Sequence, residues 1–492
     1  MDWNRVPRGL GLSAAFLILA APVAAQMPGA EPQLPRQAAP PIAVPLQQAG
    51  PPAGGGDIFL GSVSQGTATS EELPLSLPEA TARALRFNLG PILAGQNVRA
   101  ARGARLIALS TLLPNVVATA TESSQQVNLA AFGFSGFPGL PTVIGPFGLS
   151  DARGHLSQSV FDWRSVQSTR AANQDIKAAD YSSLDARDLV VLVVTNLYLQ
   201  AVAGASRVEA ARAQVATADA VYRQAVDYKA QGVVPAIDVL RAQVELQAQQ
   251  QRLIFFRNEF DKQKLGLARA IGLPDGQPFR LTDTVPFAPV PPLTLDEAVS
   301  QALGARRDYQ SGLAAVRSAE LTRKAAQADR LPSLQFNGDY GTIGPNLANS
   351  HGTYTAALGL NIPVFQGGRV RGEVLEADAL LEQRRAQLAD LRGRISYEVR
   401  TAFLDLGAAN EQVQVARGAV DLAQQQLTQA RDRFAAGVTN NLEVIQAQEA
   451  VATANENYIS SLYAFNAAKA SLGRAVGGAE KTIPAFLQGV RP

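Results

Sequence analysis

Two stretches of the chain set apolar residues at alternating three- and four-residue steps. In the first the stripe is Val208, Ala211, Val215, Ala218, Tyr222 and Ala225; in the second it is Val413, Ala416, Val420, Ala423, Leu427, Ala430 and Phe434. This spacing is the seam of a coiled coil, and its Ala-rich layers let neighbouring helices approach closely. Residues 164–231 contain no Pro and one Gly, and residues 369–436 contain no Pro. Each stretch predicts a helix of 68 residues, about 100 Å long at about 1.5 Å per residue. Gln, Arg, Asp and Glu fill the positions outside the seam, so the rest of each helix surface meets water. After Gly232 and Gly437 the apolar pattern resumes, to about Ile271 and about Leu472. These are returning helices roughly half as long as their partners, with Pro235 suited to a first helical position. Shorter helices over 91–113 and 308–331 are expected to stack end to end with the returning ones.

Between the short and long helices the period changes to two. In "TYTAALGLNIPVF", Tyr354, Ala356, Leu358, Leu360 and Ile362 fall on one face, with Thr353, Thr355, Ala357, Gly359 and Asn361 on the other. That is the pattern of a membrane-barrel strand, apolar towards lipid and small or polar towards water. "SLQFNGDYGTIG" alternates less cleanly as its hairpin partner, and "NVVATATESSQQV" and "GHLSQSVFDW" offer a weaker second hairpin. Phe161, Trp163 and Phe365 close strands and fit an aromatic belt at a membrane interface.

The chain is built twice. "LSLPEATARAL" at Leu75 matches "LTLDEAVSQAL" at Leu293, and "LPNV" at Leu113 matches "LPSL" at Leu331, both 218 residues apart. Gly232 matches Gly437 and Gly272 matches Gly477, both 205 apart. The first copy therefore carries 13 extra residues, which fall in the Phe-rich hairpin tip "LAAFGFSGFPGLPTVIGPFGL", home of Phe132, Phe134, Phe137 and Phe147. Expected segments are a signal peptide over 1–25, a Pro- and Gly-rich flexible leader over 26–70, a first repeat over 71–275, a linker over 276–292, a second repeat over 293–477 and a C-terminal tail over 478–492. The signal rests on Arg5 and Arg8 ahead of an apolar run from Leu10, with Val23 and Ala25 before the cut. No other apolar run approaches the roughly 20 residues of a spanning helix.

Composition removes several classes of chemistry. The 492 residues include no Cys, two His and two Met, with a formal charge of +2. Thiol and redox chemistry, His-rich metal sites and nucleic-acid binding are therefore not expected. His155 and His351 lack acidic or His neighbours at ligand spacing. There is no phosphate-cradling Gly loop with a Lys and no nucleophile constellation, so neither an enzyme nor a cofactor is expected. Four strands cannot close a barrel in lipid, because an open edge leaves backbone groups unpaired. Two chains would supply eight strands with a filled interior, three would supply twelve and a wider lumen. A periplasmic coiled-coil scaffold or adaptor without a pore explains the helices but not the hairpins.

The signal segment, the tandem copies, "LPN" and "LPS" at strand entries, "PVFQGG" at a strand exit and "RFAAGVTNNLEVIQAQ" together resemble the TolC family of outer membrane efflux proteins over about residues 70–477. The resemblance implies an α+β membrane protein in which each chain carries two tandem repeats of a β-hairpin and long coiled-coil helices. It further implies a homotrimer with a 12-strand β-barrel in the outer membrane, continued by a 12-helix α-barrel across the periplasm. A periplasmic adaptor protein and an inner-membrane pump or ABC transporter would complete a passive efflux or type I secretion conduit. In that family the Gly turns at Gly232 and Gly437 lie at the periplasmic tips, which close the entrance. Glu443 takes the position of the first gate acid, Gln446 stands where a second acid is expected, and Asp238 is the first-copy equivalent of Glu443. A trimer of this chain would thus present three such carboxylates where six are expected. Asn440 followed by Glu443 also fits a helix N-cap with an acid at N3, and Asp238 lies in a first turn favoured by the helix dipole. Capping and gating are compatible.

Overall fold

The computed structural model describes residues 56–133, 139, 141–283, 287–289, 293–439 and 441–488, and statements of absence below refer to these. All of them lie in the compact unit Pro52–Pro492. The expected signal peptide, Asn440, Phe134, Phe137 and the Phe132 side chain fall outside the described residues. The element order shows the duplication directly. In the first copy, α1 (Leu77–Phe87) and α2 (Leu89–Ser110) lead to strands β1 (Asn115–Asn128) and β2 (Val143–Phe161), then α3 (Trp163–Ala230) and α4 (Ala236–Ile271). The second copy repeats this as α5 (Leu295–Ala305), α6 (Arg307–Ala328), β3 (Ser333–Gly344), β4 (His351–Asn361), α7 (Arg369–Ala435) and α8 (Asn441–Val476). A last helix, α9 (Ala479–Gln488), packs on the base of α8.

The long helices run as their composition predicts, 68 residues for α3 and 67 for α7, with returning helices of 36 residues each. The seam is where burial concentrates: Val208, Ala211, Ala218 and Ala225 on α3, and Val413, Ala416, Ala423, Ala430 and Phe434 on α7, are all below 9% exposed. Two 11-residue helices precede the short ones, each started by a full capping box, Ser76 with Glu79 and Thr294 with Glu297. In each box the hydroxyl takes the N3 amide while the N3 carboxylate takes the N-cap amide.

Several sequence expectations need correction. Pro235 is the N-cap of α4 rather than its first helical residue, because its ψ of 159° is extended. Trp163 begins α3 instead of closing a strand, and residues 143–149 of the Phe-rich tip, Phe147 among them, are strand. Part of the expected flexible leader is fixed: Asn88 Nδ2 donates to Phe59 O at 2.6 Å, Val63 N to Phe87 O at 2.8 Å, and Leu89 N to Gly61 O at 3.0 Å. The statement that no second apolar run reaches spanning length also fails, since α3 holds a window of mean hydropathy 1.7. That window is 56% buried, the signature of a core helix shielded by its neighbours.

The four strands form one antiparallel sheet in the order β1-β2-β3-β4, which leaves β1 and β4 as edges. Register sorts the side chains. Tyr354 pairs with Tyr340, Leu358 with Phe336 and Leu360 with Leu334; the same face continues through Leu156, Ala152, Val116 and Ala118. Tyr340, Tyr354 and Val116 are each at least 70% exposed on it. The opposite face carries Thr353, Thr355, Asn337, Asp339, Ser157, His155, Arg153, Asp151, Thr119 and Thr121. On this polar face Arg153 bridges Asp151 and Asp339, the latter at 3.2 Å, and His155 contacts Thr119 at 3.0 Å. His155 is therefore a mid-strand residue of the polar face, whereas His351 does open β4.

Near the middle of the helical region the fold gains its width. A two-stranded parallel sheet pairs Leu73–Leu75 with Phe279–Leu281 in the expected linker. It joins a core of Val190, Val194, Tyr198, Leu267 and Ile271. The buried Tyr198 hydroxyl donates to Leu75 O at 2.9 Å. In the second copy Ile395, Val399, Leu472 and Val476 form the equivalent core with Phe486 of α9. Lys469 is fully buried and donates to Ala288 O at 2.8 Å, stapling the linker to α8. A chain of ion pairs crosses the copies here: Arg474 to Asp185, Arg187 to Glu480 at 2.7 Å, and Arg306 to Asp308 at 2.6 Å and to Glu398. Burial pushes the Asp185 carboxyl up to about 6 despite Arg474 beside it. Arg306 is 3% exposed, so replacing it takes away the two-pronged partner of Asp308 and leaves Glu398 to Arg394, 3.7 Å away. Arg306→Ala should cost about 3 kcal/mol, read as a lowered midpoint of guanidinium unfolding, with Arg306→Lys recovering only part because it cannot form the two-pronged contact.

Candidate functional site

The far ends of the helices, where α3 turns into α4 and α7 into α8, hold the predicted site residues. Both turns are built identically. Gly232 N donates to Lys229 O at 3.0 Å and Val233 N to Tyr228 O at 2.9 Å; Gly437 N donates to Phe434 O at 3.0 Å and Val438 N to Arg433 O at 3.0 Å. These are two Schellman motifs, which satisfy the last carbonyls of each long helix. The glycines have φ of 73° and 72°, and a Cβ would meet nothing within 4 Å at either. Backbone conformation, not space, requires glycine here.

One small apolar cluster ties the four helix ends together, made of Val221, Ala225, Ala242, Ala430, Phe434, Val444 and Ala447. Tyr228 of α3 packs on Phe434 of α7 with ring centroids 5.8 Å apart. The predicted acids flank this cluster in different states. Asp238 is 4% exposed, pairs with Arg241 at 3.2 Å, and its carbonyl accepts from Asn441 Nδ2 at 3.3 Å. Glu443 is half-buried in the first turn of α8, accepts a hydrogen bond from the Thr439 hydroxyl and lies 3.5 Å from Arg433. Gln446 is exposed. Asp238 and Glu443 thus come to the same end of the molecule, each matched to an arginine of its own copy.

A second polar group lies further along the returning helices. Gln249 Nε2 of α4 donates to Glu245 at 2.6 Å and to Glu449 of α8 at 3.0 Å, and Arg252 reaches Glu449 at 3.4 Å. Beside them is a cavity of about 130 Å³ walled by Gln214, Glu245, Gln249, Leu427, Gln448 and Asn455. Gln448 is 8% exposed and neither of its amide atoms has a partner. Sequence reasoning missed this group, although a signal was present: buried Asp238, Ala242, Glu245 and Gln249 follow the 3-4 spacing of the seam, which puts polar residues where a coiled coil expects apolar ones. Burial pushes the Glu245 carboxyl above the ordinary glutamate range, and the neighbouring Glu449 adds to it against the pull of Gln249 and Arg252. A raised value means the folded chain holds this proton more tightly than the unfolded one. The associated stability is complete below the ordinary glutamate value of 4.5 and is lost as pH rises through the folded value.

Two measurements follow from this geometry. Gly437→Val forces a β-branched residue into the left-handed region and should cost about 1–2 kcal/mol locally, visible as faster proteolytic nicking at the tip, while Gly437→Asn should stay near the parent rate. Amide protection on α4 and α8 around 245 and 449, corrected for intrinsic exchange, should fall as pH is raised from 5 to 8. Glu245→Gln should flatten that dependence, and an unchanged pH profile in this variant would remove Glu245 as its source.

Comparison with known proteins agrees with this architecture. Residues 93–273 and 298–478 match the outer membrane efflux protein family, one match for each copy. The chain is 26% identical over 394 residues to the pyoverdine export outer membrane protein OpmQ of Pseudomonas aeruginosa, covering 77% of this chain and 80% of that one. It is 23% identical over 330 residues to the alkaline protease secretion protein AprF of the same species, covering 64% and 67%. Among solved structures, the Campylobacter jejuni CmeC outer membrane channel superposes with a TM-score of 0.70 at 18% identity, over 88% of this chain and 96% of that chain. With both copies matched and the fold shared, the chain belongs to the outer membrane efflux protein family.

Proposed function

We propose that three copies of this chain form a passive duct, a 12-strand barrel in the outer membrane continued by a 12-helix tube through the periplasm, closed at its inner end by the helix tips. The observation that carries this reading is the open four-stranded sheet, in which Tyr340, Tyr354, Leu358 and Leu360 share one face and Arg153, Asp151 and Asp339 the other. Alone in lipid, its edge strands β1 and β4 would leave a row of backbone groups unpaired; joined edge to edge in a ring, each copy's β4 meets the next copy's β1. The apolar face then meets lipid, and the polar face with Arg153, Asp151 and Asp339 lines the lumen. A pore-free periplasmic scaffold would leave Tyr340, Tyr354, Leu358 and Leu360 in water.

The tips supply the closure. Apolar contact there is small and Ala-rich, so little burial has to be given up when the ends part. Glu443 lies one turn from Gln446 on α8, and Arg433 and Thr439 hold it in its own chain. Asp238, buried against Asn441, fixes the position of α4 against α8. Opening then consists of swinging the returning helices outward, and an engaging periplasmic adaptor is the natural source of that force. In this reading an inner-membrane pump or ABC transporter drives transport. The named cargoes of the relatives, pyoverdine and alkaline protease, support an export duct of either the efflux or the secretion type.

The test is reconstitution. The purified protein should have the mass of a trimer with its detergent and should conduct ions across a planar bilayer in small, mostly closed steps. Glu443→Gln, which loosens the Arg433 and Thr439 contacts, should raise the leak conductance several-fold. A monomer that never conducts would overturn the duct, whereas a conducting trimer with no change in the Glu443 variant would limit that residue to capping α8.

A further inference from the structure

Where the helices leave the sheet, the first turns of α3 and the last turns of α6 enclose an open groove of about 660 Å³. Trp163 and Leu331 stand at the end next to the strands, Gln167 forms the wall, and Arg170, Lys324 and Arg317 follow. No Asp or Glu lines it. Arg317 is engaged with Glu320 at 2.6 Å. Arg170 and Lys324 make no ion pair among the described residues; Arg170 instead lies over the Trp163 ring, 5.4 Å from its centroid. Gln167 is 4% exposed and its Oε1 has no hydrogen-bond partner. The groove therefore offers two uncompensated cations and an aromatic face.

Its height on the molecule narrows the choice of ligand. Phe161, 49% exposed, ends β2, while Phe365, 87% exposed, does not close a strand as expected but lies four residues past the end of β4. Arg170 is seven residues beyond Trp163 on α3, about 10 Å along the helix, and Lys324 lies four residues before the end of α6 at Ala328. The headgroup layer on one side of a bilayer is about 5–8 Å thick, and long cationic side chains extend towards it. Both cations thus reach the level of lipid phosphates, and Trp163 sits at the boundary that indole rings favour.

We propose that this groove binds the headgroup of an anionic phospholipid in the periplasm-facing leaflet: Arg170 and Lys324 pair with the phosphodiester, and Trp163 rests on the glycerol region. The inference depends on the sheet lying in the membrane, as argued above. It gives the channel a fixed depth and rotation at the junction where the sheet hands over to the helices. Basic pockets that take lipid phosphates at this level are a general device of membrane proteins.

Trp163 also provides the probe, since the only other tryptophan in the sequence is Trp3. The full chain carrying Trp3→Phe, purified and delipidated in detergent, is titrated with dihexanoyl-phosphatidylglycerol, with dihexanoyl-phosphatidylcholine and with inorganic phosphate, following tryptophan emission. Phosphatidylglycerol should give a saturable change that weakens as salt is raised. Arg170→Gln and Lys324→Gln should each weaken binding about tenfold, as expected for one charge-assisted contact, while Lys262→Gln, on an exposed cation elsewhere, should leave it unchanged. Circular dichroism confirms that each variant keeps its helices. An equal response to phosphatidylcholine would overturn charge recognition. Saturation by inorganic phosphate at the same concentrations would reassign the groove to free anions, and no response to any ligand would sink the site. Bilayer conductance of the same preparations separates these outcomes from failure of the duct itself.

Discussion

An antiparallel sheet with two free edges cannot remain in hydrocarbon, and that constraint shapes most of this molecule. Each unpaired N–H and C=O in lipid costs several kcal/mol, so a chain with four strands is committed to partners. The duplication supplies those strands as two hairpins, and β2 and β3 join them in one sheet. The same duplication sends two long helices and two shorter returning helices away from the sheet. In the proposed ring, the edge pairing that completes the barrel also sets the neighbours of the helical tube.

Packing is distributed unevenly along the helices of each chain. Around Tyr198, Ile271, Ile395 and Leu472 the helices are braced by capped short helices, a parallel strand pair, the Lys469 staple and the arginine network centred on Arg306 and Arg474. Towards the tips the contacts thin to alanine and a few larger side chains, with Glu245, Gln249, Gln448 and Glu449 in place of apolar layers. Polar groups in a seam weaken burial but fix register, a combination suited to helix ends that separate and return to one arrangement. The end next to the sheet carries aromatic and cationic residues, and the tip end carries small and polar ones.

Much of this was written in the sequence. The 3-4 stripes, the absence of proline over 164–231 and 369–436, the paired Gly-Val turns and the clean alternation of 353–362 each follow from local geometry. A helix period or a strand period constrains every residue in its run, so the two long helices, the hairpins and the duplication were legible without any contact being known. The two turn glycines were equally legible, because a Schellman turn needs a positive φ and glycine provides it without strain.

Tertiary structure decided what no period encodes. It put Trp163 on a helix and residues 143–149 on a strand, since backbone hydrogen bonds, not composition, set those boundaries. It fixed residues 59–63 against Phe87 and Asn88, buried Asp238 while leaving Gln446 in solvent, and gave Glu443 to Arg433 and Thr439. Glu245 and Glu449 stand 204 residues apart in sequence and meet through Gln249 only because two returning helices pack side by side. Periodicity names the face a residue occupies; which charge waits on the facing helix depends on how the copies dock, and that is a long-range outcome of packing.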